Sequence, residues 1–254
     1  MDKKDVYIGI VSHGHDDIIK NNFKNFPREF KNFKVHIGLI DNINSKELEQ
    51  FCREQNILYY ADEKTRGYGE NVNKIFSILN PKDEDIFIVS NPDIYIPPDQ
   101  LEKIVDFFYK EKPDLLGVKV YLNRELSRVS SQNRKFPCIL DFIISFITKK
   151  RPYMKDPNIK TEPDWISGAF MVWNAGSFRK IHGFDESYFM YCEDIDICFK
   201  AKKQNMKIIY NPEFYVIHES QLQSRNLLSK HFYWHIKSIL KFLIKNRIFC
   251  LRSP

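Results

Sequence analysis

The chain has 254 residues, of which 43% are hydrophobic and 15% aromatic. This composition can build one large domain or two small ones, and it excludes an intrinsically disordered chain. The formal net charge is +6. A charge of this size indicates either a lysine-rich solvated surface or an anionic partner, such as nucleotide phosphates, nucleic acid or a membrane face.

The five cysteines are odd in number, and no pair has the C-x-x-C spacing. We therefore expect neither a disulfide framework nor a zinc site, and a reducing cytosol is the expected compartment. The first residues lack the pattern of a signal peptide. No window reaches 18 uninterrupted apolar residues, so we expect no transmembrane helix.

Strands and helices alternate through the first half of the chain. Hydrophobic periodicity predicts strands over 6–12, 34–41, 57–61, 85–90 and 115–122, and helices over 16–26, 45–55, 69–79 and 98–111. Ser45 is a candidate N-cap, and the last of these helices has proline in its first turn. This order predicts an α/β fold with a mostly parallel sheet covered on both faces by helices.

The second half is less regular. An apolar stretch with basic flanks covers 135–152, and a strand preceded by a polar turn is predicted over 164–173. Residues 188–206 have the pattern of a buried helix. Two short strands are predicted at 207–210 and 214–218, the second ending at His218.

Polar side chains follow three strands of the predicted sheet. They are Ser12, Asp41 and the run Asn91-Pro92-Asp93. A single Asp after a strand is also typical of a turn or a helix cap. Several polar strand ends on one edge favour a ligand site, because ligands of parallel sheets bind outside the carboxyl ends of the strands. Asp93 stands between two hydrophobic runs, where a carboxylate is costly unless it has a partner.

Two further stretches suggest chemistry. Glu193, Asp194 and Asp196 interrupt an otherwise apolar helix. Helix capping explains one of them, and clustered carboxylates raise one another's proton affinity, which suits a general base. Arg66 and Gly67 lie between a strand and a helix, where a basic, glycine-rich turn favours phosphate but is also typical of an ordinary loop.

Taken in order, the motifs resemble a known family. From about Val6 onward the chain contains "VSHGH", "IDN", "RGYGENVN", "NPDIYI", "RKFP", "DWISGAFMVW", "GFDESYFMYCEDIDICFK" and "IHESQLQSR". These stretches resemble family 2 glycosyltransferases of the GT-A fold, within them the bacterial O-antigen and capsule rhamnosyltransferases that act on N-acetylglucosamine-diphospho-undecaprenol. The resemblance implies a GT-A domain over 1–222, followed by a basic amphipathic segment over 223–254.

The resemblance also implies a divalent metal ion, Mg²⁺ or Mn²⁺. Asn91-Pro92-Asp93 stands where most members have Asp-x-Asp, so Asp93 is the implied metal ligand against the donor diphosphate. His218 matches a histidine near the metal or diphosphate, although a lone strand-end histidine is also typical of a structural role.

The general base implied by the resemblance is Asp194, with Glu193 as the second candidate. Asp196 is expected to be structural, with Lys200 at i+4 as its partner.

The remaining implied contacts fall into two groups. Those to the nucleotide and its diphosphate are Ser12, Asp41, Asn42, Arg66, Gly67, Asn91 and Arg225, the last as a diphosphate clamp. Those to the sugar and acceptor are Trp165, Ser167 and Gly168. Trp165 is equally typical of a core side chain.

The tail has a composition of its own, because no acid occurs after Asn226. As a helix it would place Lys230, Lys237, Lys241 and Lys245 on one face and Leu228, Phe232, Ile236, Ile239 and Leu243 on the opposite one. Such a helix either packs on the domain or lies on an anionic cytoplasmic leaflet, and the lipid-linked acceptor favours the membrane. No nucleic-acid motif is present, so nucleic acid is not an expected partner.

These expectations combine into one hypothesis. The chain would be a peripheral enzyme at the inner face of the cytoplasmic membrane, moving L-rhamnose from dTDP-β-L-rhamnose to a lipid-linked sugar with inversion. One alternative is the same fold with another donor, such as a UDP-hexose, or another acceptor. The others are a non-catalytic subunit recruited to the membrane by its tail, and a nucleotidyltransferase.

Overall fold

The computed structural model describes residues 3–62, 64–148, 152–219 and 230–246. The strands are β1 (Lys4–Ser12), β2 (Phe33–Asp41), β3 (Leu58–Ala61), β4 (Ile86–Ser90), β5 (Ile94–Tyr95), β6 (Leu115–Tyr121), β7 (Val129–Ser130), β8 (Phe170–Asn174) and β9 (Ile208–His218). The helices are α1 (Asp16–Phe23), α2 (Lys46–Glu54), α3 (Tyr68–Leu79), α4 (Pro98–Glu111), α5 (Ile139–Thr148), α6 (Ala175–Lys180), α7 (Glu193–Lys203) and α8 (Lys230–Asn246).

The strands form one sheet in the order β3-β2-β1-β4-β8-β6-β9-β5, with β7 paired to β6. The first four are parallel, as their alternation with helices predicts. In their register Ser12 lies opposite Asp41, so the polar strand ends do share one edge. The rest of the sheet is mixed, because β8 runs antiparallel between β4 and β6.

Apolar side chains cover both faces of this sheet in two separate clusters. One cluster packs α1, α2 and α4 on the sheet, through residues such as Phe23, Leu48 and Phe108. The other packs α3, α6, α7 and α8, through residues such as Phe76 and Phe178. The predicted three-layer α/β architecture is thus confirmed, since burial on both faces is what continuous apolar strands require.

Three predicted boundaries differ from the structure. The strand expected over 164–173 begins only at Phe170. The helix expected over 188–206 begins at Glu193, because Tyr191 and Cys192 have φ of 72° and 64° and cannot continue a right-handed helix. The two short strands at 207–210 and 214–218 are one strand, whose bulge at Pro212 accommodates a residue without a backbone donor.

Helix α8 packs on the domain. It buries Ile239, Phe242 and Leu243 in the cluster formed by α3, α6 and α7. Lys245, expected on a solvated basic face, instead forms ion pairs with Asp185 at 2.7 Å and Asp196 at 2.8 Å. Within the described parts of the chain, no helix has the length and apolarity needed to cross a membrane.

Candidate active site

Asp41 ends β2 and is 1% exposed. Its carboxylate accepts hydrogen bonds from the backbone N–H of Ile43 and Ser45, at 3.2 and 2.7 Å, and from the Tyr59 hydroxyl at 3.1 Å. These bonds are those of a turn residue that shapes the loop after a strand. The side chain therefore orders this edge of the sheet through the protein's own groups.

The next residue ties two loops together. Asn42 accepts hydrogen bonds from the Arg66 backbone N–H at 3.3 Å and from the Asn71 amide at 3.0 Å. The Arg66 guanidinium is paired within its own segment, with Asp62 and, at 3.0 Å, with Glu70. In this structure Arg66 is thus held by two carboxylates beside the sheet edge.

Gly67 makes room for the protein's own backbone. A Cβ atom added there would lie 2.7 Å from the carbonyl oxygen of Phe189, which accepts a hydrogen bond from the Tyr68 N–H at 3.0 Å. The close approach expected from this glycine is made by the segment before α7, and contact with a nucleotide remains a prediction.

Two other predicted nucleotide contacts lie at this edge. Ser12 is fully buried, and its hydroxyl has no hydrogen-bond partner among the described residues. The backbone N–H of Asn91 donates to the carbonyl of Ala169 at 2.8 Å, which ties the Asn91-Pro92-Asp93 turn to the loop before β8. Arg225 lies outside the described residues.

Asp93 has a partner in the fold. Antiparallel pairing of β5 with β9 places Ile94 opposite His218. His218 Nε2 is then 3.0 Å from Asp93 Oδ2, and the two side chains are 17% and 22% exposed. Burial alone would raise the pKa of Asp93, but the hydrogen bond and charge of His218 outweigh it and hold the pKa below its ordinary value.

This pair fits a divalent ion that is also held by phosphate. In the described portion of the chain, no group of three or more His, Cys, Asp or Glu side chains is arranged to hold a metal. The half-buried Asp93 carboxylate, kept ionised, would supply one ligand, and the His218 imidazole would supply a second once it has lost the proton that it shares with Asp93. Mg²⁺ is characteristically bound through one or two carboxylates and completes its shell with substrate phosphates and water.

The acids expected to act as a base come from the start of α7. Its first residues are Glu193 and Asp194, and the left-handed backbone of Tyr191 and Cys192 sets the direction in which the helix begins. Asp194 Oδ2 accepts a hydrogen bond from the Gly168 backbone N–H at 3.1 Å, and Oδ1 accepts one from the Ile195 N–H at 2.9 Å. Two main-chain donors therefore fix the orientation of the Asp194 carboxylate, which is half-buried.

The two carboxyl groups differ in environment. Burial and, to a smaller extent, the charge of the neighbouring Asp194 together raise the pKa of Glu193 to about 8. One Glu193 oxygen is buried without a partner among the described residues, as suits a protonated acid. Burial also raises the pKa of Asp194, but the Gly168 N–H and the charge of Arg134 oppose that rise. Asp194 is thus the better candidate for an ionised base at neutral pH.

Replacing Glu193 with Gln should raise the melting temperature at pH 8 to 9 and leave it nearly unchanged at pH 5. The folded protein holds a proton on Glu193 up to about pH 8, whereas an ordinary Glu loses it near 4.5. Unfolding therefore releases a proton between these values, and the stability of the wild type falls as pH rises through this window.

Thermal denaturation from pH 5 to 9 would measure this difference. Glu102→Gln, an exposed change on α4, is the control and should shift no melting temperature. A constant gap between Glu193→Gln and the wild type at every pH would show that Glu193 does not titrate in this range.

Tyr68 interacts electrostatically with both the candidate base and the candidate metal ligand. Its hydroxyl donates to the Gly168 carbonyl at 3.0 Å. Burial raises its pKa, and the charges of Glu193, Asp194 and Asp93 add to that rise. All three acids therefore lie within electrostatic range of one phenol, so the fold brings the candidate base and metal ligand together.

The predicted sugar contacts lie in the loop before β8. Trp165 is 4% exposed, donates to the Lys135 carbonyl at 2.9 Å, and has the Arg134 guanidinium 4.5 Å from its ring centroid. These contacts are typical of a core tryptophan and not of an exposed ring on which a sugar could stack. The Ser167 N–H donates to the Gln132 side chain at 2.9 Å, and Gly168 positions Asp194.

Four residues near the acids carried no sequence-based role. Gln132 and Arg134 contact the loop before β8, the charges of Glu193, Asp194 and Asp93 act on Tyr68, and the charge of His15 acts on Asp93. "VSHGH" and "RKFP" mark two of these positions, but the order of motifs alone indicates no contact. Isolated β-bridges from Arg134 to Met154 and Trp165 bring the segment of Arg134 next to the loop before β8.

Asp196 is structural, but its predicted partner is wrong. The carboxylate is fully buried and is bonded by Lys245 at 2.8 and 2.9 Å. Lys200 instead donates to the backbone carbonyls of Ile181 and Gly183. The long-range pair of Asp196 with Lys245 forms instead of the local i,i+4 pair with Lys200, because α8 covers this end of α7.

The chain is similar to several characterised proteins. A family model described as "Glycosyl transferase family 2" matches residues 8–182. The rhamnosyltransferase WbbL of Escherichia coli K12 is 33% identical over 255 residues, covering 98% of this chain and 96% of its own. An N-acetylglucosaminyl-diphospho-decaprenol L-rhamnosyltransferase of Mycobacterium tuberculosis is 24% identical, covering 87% of this chain and 78% of its own.

Solved structures agree with the fold. The crystal structure of GalNAc-T7 with UDP, GalNAc and Mn²⁺ matches 95% of this chain with a TM-score of 0.65 at 13% identity. The chain spans 48% of that protein, so the likeness is one of fold. Together with the family model and the near full-length relative, the site geometry leads to one conclusion: this chain belongs to glycosyl transferase family 2.

Proposed function

We propose that the chain is an inverting rhamnosyltransferase. It would move L-rhamnose from dTDP-β-L-rhamnose to a hydroxyl of a lipid-linked sugar, such as N-acetylglucosamine-diphospho-undecaprenol, in O-antigen or capsule synthesis. The observation that carries the proposal is the Asp194 carboxylate, which two main-chain donors orient and whose charge, like that of Asp93 in the Asp93–His218 pair, acts on Tyr68. The choice of rhamnose is supported by the two similar rhamnosyltransferases.

In this proposal Asp194 acts as the general base. The acceptor hydroxyl oxygen forms a bond to the anomeric carbon while the bond from that carbon to the diphosphate oxygen breaks. The hydroxyl proton passes to Asp194, and dTDP leaves on the opposite face of the sugar. This single displacement inverts the configuration and needs no covalent intermediate.

Asp93 and His218 would hold Mg²⁺ or Mn²⁺ together with the donor diphosphate. When bound, such an ion supplies positive charge against the charge that develops on the leaving diphosphate. Arg225 would clamp the same diphosphate as a bidentate donor. Ser12, whose buried hydroxyl has no hydrogen-bond partner in the described part of the chain, would contact the nucleotide at the edge formed by β1 and β2.

The other expected ligand contacts extend from this centre. Asn42, Arg66, Gly67 and Asn91 would line the nucleotide, with Asp41 ordering their loop. Ser167 and Gly168, which follow the buried Trp165 in the loop before β8, would face the sugar and acceptor. A polyprenol-linked acceptor places the reaction at the cytoplasmic membrane face, and the basic segment 223–254 would assist attachment there.

The test is a mass-spectrometric transfer assay with dTDP-L-rhamnose and a short-chain N-acetylglucosamine-diphospho-lipid. We expect a product heavier by one deoxyhexose, lost on addition of EDTA. A parallel panel with UDP-hexoses separates the donor alternative, since transfer from UDP sugars alone would overturn the rhamnosyl assignment. Release of pyrophosphate instead of dTDP would indicate a nucleotidyltransferase, and no transfer from any donor would favour the binding-subunit alternative.

Asp93→Asn should lower the transfer rate by about two orders of magnitude or more, because offsetting diphosphate charge is worth several kcal/mol. It should also weaken Mn²⁺ binding in the presence of dTDP, followed by electron paramagnetic resonance. Asp99→Asn, an exposed change at the start of α4, is the matched control. Unchanged Mn²⁺ binding in Asp93→Asn would remove Asp93 from the metal site.

A further inference from the structure

Helix α5 presents an uncovered aliphatic face. Five of its ten residues are large aliphatic side chains that remain exposed: Ile139 (39%), Leu140 (50%), Ile143 (47%), Ile144 (39%) and Ile147 (73%). At 100° per residue they fall within one arc of about 140°. An exposed apolar surface of this continuity marks an interaction site in a folded protein.

The opposite face of α5 fixes the helix on the domain. Asp141 is buried and accepts a hydrogen bond from the Cys138 N–H at 3.0 Å. Phe142 packs against the cluster that contains α7 and α8. The aliphatic face therefore points away from the protein on an anchored helix.

A second exposed apolar face lies on α8. While Phe242 is buried against the domain, Tyr233, Ile236, Leu240 and Ile244 on the outer side are 65%, 40%, 50% and 65% exposed. Aromatic contacts connect this helix with α5. The Phe199 ring lies 5.9 Å from Phe242 and 5.2 Å from Phe136, three residues before α5 begins. The two helices thus pack on one flank of the domain, beside the helix that carries Asp194.

Positive charge borders this flank. Lys135 is exposed just before α5, and the sequence continues after α5 with Lys149-Lys150-Arg151. Lys237 is exposed on the outer side of α8. Short helices with an aliphatic face and basic ends lie in the interface of anionic bilayers, because burial of the apolar face and attraction to lipid headgroups act together.

The geometry points to α5 as the element that inserts into an anionic phospholipid bilayer, with the outer face of α8 lying beside it. This inference rests on the proposed function for its purpose, since it would bring Asp194 to an acceptor held in the membrane. The charge bordering the flank favours lipid over a second copy of the chain, because two copies would bring like charges together.

Flotation of the full chain with vesicles tests the inference without donor or acceptor. We expect binding to vesicles of phosphatidylcholine with 30% phosphatidylglycerol, and at least tenfold weaker binding for the double variant Ile143→Glu/Ile147→Glu. Leu58→Glu/Leu126→Glu is matched in charge and number on other exposed aliphatic residues, and it should bind as the wild type does. Circular dichroism and thermal melting would verify that each variant is folded.

Two outcomes would overturn the inference. Undiminished flotation of the α5 double variant would place membrane contact elsewhere. A wild-type dimer in solution that fails to float, and that the α5 double variant dissociates, would assign the face to a second copy of the chain.

Transfer assays distinguish failure of this membrane inference from failure of the proposed function. Transfer to a water-soluble short-chain acceptor should be unchanged in the α5 double variant, whereas transfer to a long-chain acceptor in vesicles should fall with vesicle binding. Loss of transfer to both acceptors in the wild type would contradict the enzymatic proposal, but leave the vesicle result intact.

Discussion

Replacing Asp194 with Asn should lower kcat for sugar transfer by about 10²- to 10⁴-fold, the contribution expected of a positioned general base. Binding of dTDP should persist, because in the proposed mechanism Asp194 contacts the acceptor hydroxyl and not the nucleotide. Single-turnover transfer with saturating donor and acceptor measures the change, and calorimetry with dTDP measures binding.

The expectation depends on how Asp194 is held. Its two oxygens accept bonds from the Gly168 and Ile195 main chain, and the left-handed Cys192 sets the direction in which α7 begins. Asn keeps the size of the side chain and can accept one of these two main-chain bonds, but it cannot accept the hydroxyl proton. The loss should therefore appear in kcat with little change in the folded structure.

The pH profile supplies a second readout. Burial raises the pKa of Asp194 above its ordinary value, so wild-type activity should fall as pH drops through that raised pKa. Any residual activity of Asp194→Asn should lack this acid limb, since Asn does not titrate. A merely structural role for Asp194 would leave the limb in place.

Glu193→Gln is the discriminating comparison. Because the pKa of Glu193 is raised to about 8, this carboxyl is mostly protonated at neutral pH and is poorly suited to accept a proton. We expect a smaller loss of kcat than for Asp194→Asn. If Glu193→Gln is the more damaging change, the two acids exchange roles.

The order of elements was predictable because local patterns decide it. Alternating apolar runs predict β1 and β2, and parallel pairing then brings Ser12 opposite Asp41. The start of α7 was not predictable, because Tyr191 and Cys192 continue the apolar pattern although their positive φ interrupts the helix. Neither tyrosine nor cysteine is typical of a left-handed backbone conformation, which here is imposed by tertiary contacts.

The missing site residues share a different cause. Arg134 reaches the loop before β8 through isolated bridges between segments 20 to 31 residues apart, a separation that no helical or strand period encodes. The Asp93–His218 pair depends on antiparallel pairing between β5 and β9. Such contacts follow from sheet topology, which only the folded structure specifies.

The partner of Asp196 also escaped the sequence pattern, and it leads to the largest expected effect on stability. Replacing Lys245 with Met should lower the free energy of unfolding by about 1–3 kcal/mol, because the buried Asp196 carboxylate loses its counter-charge and keeps only the hydrogen bonds from Tyr188 and Asn246. Asp196 is fully buried, and Lys245 bonds both of its oxygens. Urea denaturation at pH 7 measures the change.

The double variant Asp196→Asn/Lys245→Met identifies the source of that loss. Removing both charges eliminates the unpaired carboxylate, so the double variant should be more stable than Lys245→Met alone. Lys237→Met, an exposed change on the same helix, should stay within about 0.5 kcal/mol of the wild type. Equal stability of Lys245→Met and Lys237→Met would mean that the ion pair does not hold α8.

Lys245→Met should also affect the active site, through the loop before α7. Ser238 on α8 donates to the Met190 carbonyl at 2.8 Å, and the Phe189 ring lies 4.8 Å from Trp234. This loop contains the left-handed residues that aim Glu193 and Asp194. We therefore expect Lys245→Met to lower kcat at temperatures where the protein is still folded, whereas a tail that served only for membrane attachment would leave transfer to a soluble acceptor unchanged.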